Sequence, residues 1–443
     1  MISPSPSLAP GHRALAPSDV AMALLALVFT FLSASYPVRD SGLWMHLALG
    51  RLLGAGEYQF GVDPLSYTTS GIYWANHAWL FDLVLYVVYQ HLGGAAVVLF
   101  KAATAALLAG VWLSCRRRFT SVAGPAAATV LGTLALAPRL LLQPQLCSMI
   151  LLAMTVAILA IHVDPKRLKG RRVCVLVPLF TLWVNLDEWF FLGPLALVLF
   201  WVGEQLTGPP RERRLSLGLV GAGLLACLLS PHHVFVFALP AEVSPAVLGS
   251  GLREDVRFAL FFQRGYVGLF ENPDWYARLP GVALLGLLVG GAFSFVRCRR
   301  ACADGRLFVW LVVAALAAWN SRLIPLFVAV AVPVLVLNLQ DARASVPARV
   351  ILARLRWRRI AVWLVTGSAG LVLIAFAWLG GPLGVRPWLS CPPSPGPTAR
   401  FIIPSTVARH ASRSMSRTYS TRSTSRPPMA ITTSARVHRA MHG

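Results

Sequence analysis

The first polar stretch of the chain, residues 39–79, concentrates side chains that could do chemistry. It contains Asp40, His46, Asp63 and His77 and follows a hydrophobic segment. A carboxylate such as that of Asp40 can accept a proton from an attacking hydroxyl group, orient that group or bind a divalent cation. Asp40 could equally be the N-terminal residue of a short helix, where its charge favours the helix dipole. The residues alone leave both roles open.

The remaining polar residues of this stretch have structural roles as plausible as chemical ones. The two histidines could transfer protons or bind phosphate, although a structural hydrogen bond is the commoner role. Asp63 precedes Pro64, a pattern typical of a turn in which the carboxylate accepts hydrogen bonds from backbone donors. Trp74 and Trp79 are typical membrane-interface anchors, although aromatic rings also stack on sugars. We therefore treat this stretch as a candidate site whose substrate the sequence does not name.

Charged residues farther along the chain add to the candidate site. Asp187 and Glu188 are adjacent acids that could share a cation, raise one another's pKa or face solvent. Arg139 and Arg322 stand alone, so each needs a partner, either an acid or a lipid phosphate. We predict Asp40 as the catalytic residue. We predict substrate-binding roles for His46, Asp63, His77, Arg139, Asp187, Glu188, His232 and Arg322.

Composition places these residues in a membrane protein. Of the 443 residues, 56% are hydrophobic and 13% are charged, whereas soluble domains carry about 25% charged residues. The net charge of +23 comes mainly from basic clusters between apolar segments, which the positive-inside rule explains without nucleic acid. The seven cysteines have neither zinc spacing nor a disulfide framework. No metal site is predicted from them, and a divalent cation at the carboxylates remains an open alternative.

The basic clusters also predict how the chain crosses the membrane. If every apolar stretch crossed, the clusters at 116–118 and 166–172 would face outward, against the positive-inside rule. If residues 78–89 instead lie along the outer surface or dip into the membrane without crossing it, every basic cluster faces inward and the acids of the candidate site face outward. This arrangement predicts an all-α polytopic protein with about eleven transmembrane helices. Its N-terminus would be inside the cell.

The same patterns divide the chain into three parts. Residues 1–19 are predicted to be a disordered cytoplasmic segment, and residues 20–380 a transmembrane domain with its first outer loop at 38–94. Residues 381–443 are basic and low in complexity, which is typical of disorder. The first apolar segment could also be a signal peptide, because small residues at 33–35 offer a cleavage site. We favour a retained helix, since the polar stretch after it needs an anchor.

The first outer loop resembles that of a known family. Its D-x-x-L-W-x-H-L motif, Asp40 to Leu47, is similar to the motif of bacterial polytopic membrane proteins grouped with GT-C-type glycosyltransferases. The resemblance extends over residues 20–380. It includes Asp63–Thr68, Trp74, His77, Trp79, Arg139–Gln145, Asn185, Ser230–Pro231 and Arg322–Pro325. It implies a GT-C-like transmembrane fold with interfacial helices in the first outer loop.

The resemblance also implies a function. A GT-C enzyme transfers a sugar, with inversion, from a polyprenyl-phosphate donor to an acceptor at the outer face of the bacterial cytoplasmic membrane. Asp40 matches the essential first-loop aspartate and would act as the base or orient the acceptor. Arg139 or Arg322 would hold the carrier phosphate. Lipid-linked sugar and membrane lipids would be its partners, with no nucleic acid.

Three departures from the family keep rival functions open. The family commonly has a second acid where Gly42 stands, and His-Gly where Asp187 and Glu188 stand. Its members usually continue into an outer soluble domain, which the basic segment 381–443 cannot form. A transporter, a lipid-binding protein without chemistry and an inactive GT-C relative are therefore the alternatives. A transporter would favour acids near the middle of spans, whereas polar residues here cluster at span ends.

Overall fold

A computed structural model describes the residues between 16 and 344, with gaps. The gaps are residues 39, 41, 67–70, 118–119, 161–174, 208–214, 216, 249–250, 253, 256–257, 259–260, 268–269, 271–277, 299 and 304. The predicted tail at 381–443, the basic cluster at 166–172 and the last part of the predicted transmembrane domain, residues 345–380, lie outside the described residues. The N-terminal segment 1–19 is described only from residue 16.

The described residues form helices and turns, with no β-strand among them. The α-helices in chain order are α1 (Pro17–Ala34), α2 (Gly42–Ala55), α3 (Trp79–Ser114), α4 (Ala123–Leu136), α5 (Gln145–Ala160), α6 (175–183), α7 (Leu192–Thr207), α8 (Leu217–Ala226), α9 (Pro245–Leu248), α10 (Leu279–Arg297), α11 (Arg300–Ala303), α12 (Arg306–Trp319) and α13 (Ile324–Ala344). Short 3₁₀ turns are Ala137–Arg139, Glu188–Phe191, His233–Phe237 and Ser321–Leu323. The all-α prediction is confirmed.

Helix length and apolar composition identify a polytopic membrane protein. Within the described part of the chain, five helical segments are long and apolar enough to cross a bilayer: Pro17–Ala34, Trp79–Ser114, Glu188–Leu206, Leu279–Arg297 and Ser321–Arg343. Three shorter apolar helices accompany them: Gln145–Ala160, Leu217–Ala226 and Arg306–Trp319. A helix of 16 residues such as α5 spans about 24 Å, less than the roughly 30 Å of the hydrocarbon layer. The prediction of about eleven spans extends onto residues outside this description.

Helix α3 joins two segments that the sequence pattern separates. Its 36 residues would extend about 54 Å as one straight helix, well beyond the roughly 30 Å of the hydrocarbon layer. The helix is interrupted at Gly93, whose φ is 76° and ψ is −176°, a conformation that glycine adopts readily because it lacks a Cβ atom. The segment 78–89, predicted to lie at the surface, belongs to the first arm of α3 and packs against α2.

The apolar helix α13 lies at the centre of the bundle. Its residues 326–332 are fully buried, and it packs against α4, α5, α10 and α12. A Cβ atom on Gly132 would lie 2.6 Å from Val332 and 3.0 Å from Trp112, so this glycine allows α4 to approach closely. The Nε1 of Trp112 donates a hydrogen bond to the carbonyl of Ala329 at 3.3 Å. Packing of this kind holds membrane helices together where the hydrophobic effect cannot.

Helix α1 belongs to the same bundle. It packs against α3 and α4, and the Thr30 and Thr133 hydroxyl groups form a hydrogen bond of 2.8 Å within the buried interior. Ser33 and Ser35, which flank the alternative cleavage site, are 1% exposed. The retained first helix that we favoured remains a prediction, and its packing is what such a helix requires.

The polar residues of the connections gather at two ends of the bundle. At one end, which we call the acidic end, lie Asp40, Asp63, Asp187, Glu188 and Glu242. At the other, the basic end, Asp341 lies between Arg117 and Arg306. Asp19 also lies there, next to the start of α4. The grouping follows the charge pattern of the sequence.

Candidate functional site

Asp40 lies at the acidic end, immediately before α2, with both carboxylate oxygens hydrogen bonded. Its Oδ1 accepts the backbone N–H of Gly42 at 3.1 Å. Its Oδ2 accepts Nε2 of Gln143 at 2.8 Å. The first contact is the helix N-terminal role expected from the sequence. Because an ionised carboxylate has about four lone-pair sites, these two contacts leave room for a third donor.

The segment Gln143-Pro144-Gln145 joins Asp40 to the start of α13. Gln143 holds the Asp40 carboxylate, and Nε2 of Gln145 donates to the backbone carbonyl of Arg322 at 3.0 Å. Two residues along an extended chain reach at most about 7 Å, so both contacts arise from one short segment. Asp40 and Arg322 therefore lie at the same end of the bundle. A shared pocket at that end requires this arrangement.

Arg322 has partners of its own within the protein. Its Nε lies 3.5 Å from Oε1 of Glu242, and its guanidinium lies 4.3 Å from the ring centroid of Phe261. Glu188 also interacts electrostatically with Arg322 and with Glu242. The Glu242 side chain is only 6% exposed, so Arg322 compensates a charge that would otherwise be buried alone. Arg322 thus interacts with both Glu242 and Glu188.

Asp187 is the most deeply buried acid of the candidate set outside the spans. The Ser148 hydroxyl donates a short hydrogen bond to its Oδ2, and the same Ser148 oxygen accepts Nε1 of Trp183 at 2.6 Å. Burial raises the pKa of the Asp187 carboxyl to about 7, against the lowering effect of the Ser148 hydrogen bond. Asp187 therefore changes its protonation state near neutral pH. Such a group can hold a proton or release it with little driving force.

Arg139 is half-buried and has no protein partner among the described residues. It ends the 3₁₀ turn after α4, and no hydrogen bond or ion pair to its guanidinium occurs in the described part of the chain. Burial lowers its pKa from the ordinary arginine value. The next residue, Leu140, accepts a hydrogen bond of 2.7 Å from the Tyr36 hydroxyl at the end of α1. A partly desolvated cation in this position is suited to an anion from outside the chain.

The histidines of the set are held by structural hydrogen bonds. Nδ1 of His46 lies 2.6 Å from Oδ1 of Asp82. His77 Nε2 lies 2.8 Å from the backbone carbonyl of Val236, and burial lowers its pKa. His232 Nδ1 lies 2.9 Å from the Tyr73 hydroxyl, and burial lowers its pKa as well. The substrate-binding roles of these histidines stay predictions, and each ring already has a positional role.

Two connections come together through these histidines. Tyr73 stacks on Phe235 with a centroid distance of 4.2 Å, so the first loop lies against the turn His233–Phe237. Asp63 accepts the backbone N–H of Leu65 at 2.9 Å, which is the turn contact that its sequence context indicates. The first loop is thus tied to the chain that follows α8.

Asn185 connects three parts of the acidic end. Its side-chain oxygen accepts Nε1 of Trp79 at 2.9 Å, while its Nδ2 donates to the carbonyls of Thr181 and Leu229 at 2.8 and 3.0 Å. A groove of about 540 Å³ opens beside it. The groove is lined by Trp79, Leu80, Val177, Pro178, Thr181, Leu182 and Asn185. Its lining is almost entirely apolar.

The prediction of site residues from the sequence did not include four residues of this arrangement, namely Gln143, Glu242, Tyr73 and Asp82. Gln143 is uncharged, Glu242 lies in a long connection, and Tyr73 belongs to a run of aromatic residues. Asp82 is the residue with a usable signal, because an acid in the first turn of an apolar helix needs a buried partner. No cluster of three or more His, Cys, Asp or Glu side chains that could hold a metal occurs among the described residues.

Comparisons with known proteins give the fold. No protein-family model matches the sequence, and no curated protein matches it. Two solved structures from Archaeoglobus fulgidus are similar in fold. The first is an oligosaccharyltransferase in the apo form, with a TM-score of 0.50, 14% identity, and coverage of 84% of this chain and 55% of that one.

The second structure is the oligosaccharyltransferase AglB in complex with an inhibitory peptide and a dolichol-phosphate. Its TM-score is 0.51 at 14% identity, with coverage of 81% of this chain and 55% of that chain. The present chain thus spans about half the length of the solved structures that it matches. AglB has a GT-C fold. The chain therefore has a GT-C-like transmembrane fold, as the resemblance of its first loop implied.

Proposed function

We propose that the protein is a membrane glycosyltransferase that moves a sugar from a polyprenyl-phosphate donor to an acceptor. The GT-C-like fold supports this class of reaction at a coarse level. The single observation that carries the proposal is the placement of Asp40. It stands before an interfacial helix at the acidic end, oriented by Gln143, with Arg322 at the same end.

The proposed reaction is a displacement at the anomeric carbon. The Asp40 carboxylate accepts the proton of the acceptor hydroxyl group, and the hydroxyl oxygen forms a bond to the anomeric carbon. The bond between that carbon and the phosphate oxygen breaks, and the polyprenyl phosphate leaves with one more negative charge. A positioned base of this kind contributes about 10²–10⁴-fold to a rate.

The leaving phosphate needs a cation, and the two arginines of the set differ in their availability. Arg322 is engaged with Glu242 and Phe261, whereas no described residue pairs with Arg139. We therefore assign the carrier phosphate to Arg139 in preference to Arg322. The dolichol-phosphate bound to AglB is a ligand of the same chemical class. The sugar and the acceptor are left unassigned.

The proposal places the acidic end at the outer face of the bacterial cytoplasmic membrane. The basic clusters of the sequence then face inward, as the positive-inside rule requires, and the N-terminus lies inside. Asp187 and Glu188 would line the acceptor side of the site, where Asp187 can exchange a proton near neutral pH. This sidedness is testable by labelling engineered residues near 40 and 117 from outside intact cells.

The test of the reaction uses purified protein in proteoliposomes with a panel of polyprenyl-monophosphate-linked hexoses and pentoses. Release of polyprenyl phosphate is followed by mass spectrometry. Asp40→Asn should reduce the rate by at least about 10²-fold because it removes the base. Glu57→Gln is the matched control, since Glu57 is an exposed acid of the same loop that lies outside the predicted site, and it should retain activity.

Three outcomes would count against the proposal. Full activity of Asp40→Asn would remove Asp40 from the reaction. Accumulation of a soluble solute in the vesicles, without release of polyprenyl phosphate from any donor of the panel, would favour the transporter alternative. An inactive protein that still binds polyprenyl phosphate through Arg139 would indicate an inactive relative of the class.

A further inference from the structure

A polar network that the proposed reaction does not use lies between α2 and α3. Asp82 is 0% exposed and His46 is 7% exposed. The Oδ1 of Asp82 lies 2.6 Å from Nδ1 of His46, and its Oδ2 accepts Nδ2 of Asn76 at 2.8 Å. Both oxygens of a fully buried carboxylate are thus satisfied by two neighbours from different segments.

The backbones of the two helices are unusually close at this point. His46, Gly50 and Gly54 recur every four residues, so they occupy one face of α2. A Cβ atom on Gly50 would lie 2.2 Å from the backbone carbonyl oxygen of Asp82 and 2.6 Å from Cβ of Tyr86. Close approach at small residues is how helices associate in membranes. The same face therefore provides both the close contact and the hydrogen bond.

The position of Asp40 depends on the position of α2. The Asp40 carboxylate accepts the N–H of Gly42, and its backbone carbonyl accepts the N–H of Leu43 at 3.3 Å. Asp40 therefore moves with the first turn of α2. Gln143, which holds the other carboxylate oxygen, belongs to a different segment. The neighbouring Leu142 packs in one cluster with Phe81 and Leu85 of α3, so a displacement of α2 from α3 would separate Asp40 from Gln143.

We propose that His46 and Asp82 are positioning residues that lock α2 onto α3 and thereby hold Asp40 in its working orientation. The proposal rests on the proposed function in one respect, namely that Asp40 is the group positioned. His46 acts through Nδ1, which faces Asp82, and makes no contact with substrate. This assigns to His46 a role different from the substrate binding expected from the sequence.

Substitution can distinguish the roles of the two ring nitrogens of His46. The side-chain amide introduced by His46→Asn lies near the place of Nδ1, whereas the longer amide introduced by His46→Gln lies near that of Nε2. His46→Asn should therefore keep a donor to Asp82 and retain transfer within about threefold of the wild type. His46→Gln and Asp82→Asn should lower kcat about tenfold or more with little change in KM, as loss of an orienting partner does. Activity in His46→Gln with loss in His46→Asn would indicate a substrate contact through Nε2 and would overturn the proposal.

A structural measurement makes the test independent of transfer. Nitroxide labels on unnatural amino acids at the exposed positions Met45 of α2 and Leu92 of the first arm of α3 report the distance between the helices in nanodiscs. The wild type and His46→Asn should give one narrow distance distribution. Asp82→Asn and His46→Gln should broaden or shift it.

The two proposals fail in distinguishable ways. An unchanged label distance in both Asp82→Asn and His46→Gln overturns the lock, whatever the transfer assay gives. A changed distance in these variants supports the lock even in a preparation without transfer activity, in which case the missing activity counts against the proposed function alone. Glu57→Gln, with the same labels, is the control, because Glu57 is an exposed residue of the first loop that lies outside the network.

Discussion

The two ends of the bundle differ in whether their charged side chains are fully paired within the protein. At the basic end, Asp341 bonds Arg117 and the fully buried Arg306 at 2.9 and 2.8 Å, and Arg306 also donates to Asn338 at 2.9 Å. At the acidic end, Arg322 pairs with Glu242 and also interacts electrostatically with Glu188, and Arg139 has no partner among the described residues. The basic end is a closed network that the protein satisfies itself. The acidic end retains binding capacity for a ligand, which is typical of functional sites.

The largest expected effect on the free energy of unfolding comes from removing the carboxylate that Arg117 and Arg306 share. Asp341→Ala leaves Arg306 buried without its carboxylate, and removal of one partner of a buried pair costs about 3–5 kcal/mol. The free energy of unfolding in mixed micelles, followed by tryptophan fluorescence, should fall by that amount. The matched control at the same end is Asp19→Ala, which loses only hydrogen bonds to Ser121 and Val122 and should cost about 1 kcal/mol. Equal losses in both variants would contradict the comparison.

The next effect concerns backbone contact at the acidic end. Gly50→Ala forces a Cβ atom against the Asp82 carbonyl, and overpacking of this kind costs about 1–3 kcal/mol. In Gly54→Ala the new atom lies 3.3 Å from the Tyr86 ring, which can move. Gly54→Ala should therefore be neutral or stabilising, because alanine favours a helix by up to about 1 kcal/mol. The same unfolding measurement compares the two, and a greater loss in Gly54→Ala would refute the close contact at Gly50.

A pH-dependent effect follows from Asp187. Its pKa of about 7 in the folded protein lies above the ordinary value of 3.8, so the folded state binds the proton more tightly than the unfolded state. Stability from this group is therefore fully present below about pH 4 and is lost as the pH rises towards about 7. Asp187→Asn should have a higher melting temperature than the wild type at pH 8 and differ little from it at about pH 3.5, below the ordinary pKa of the group. A difference independent of pH would show that burial does not raise the pKa of Asp187.

The smallest effect on stability is expected at the arginine without a partner. Arg139→Gln breaks no bond to a described residue and should change the free energy of unfolding by less than about 0.5 kcal/mol. Arg322→Gln leaves the buried Glu242 uncompensated and should be more destabilising.

Binding of a short-chain polyprenyl monophosphate in nanodiscs should weaken about tenfold or more in Arg139→Gln, since a charge-assisted bond is lost. Stronger weakening in Arg322→Gln would transfer the phosphate to that residue.

The sequence indicates which residues lie at the acidic end but not which of them pair. Polar residues in a membrane protein collect at the ends of spans, which predicts that Asp40, Asp187 and Glu188 lie at one end with Arg322. The sequence does not distinguish Arg139 from Arg322, since both stand alone in it. Only the fold brings Glu242, from a distant connection, beside Arg322. Pairing between distant segments has no periodic signal along the chain.

The sequence by itself determined the class of the protein and the sorting of its charges. Apolar stretches must cross or pack in a bilayer as helices because unsatisfied backbone groups are costly there. Such stretches can be recognised from the local sequence alone. Tertiary structure alone decided that Gly50 brings His46 to Asp82, that Gln143 orients Asp40, and that Arg139 is left without a partner among the described residues. These contacts depend on the relative placement of helices, which side-chain packing and close backbone approach set together.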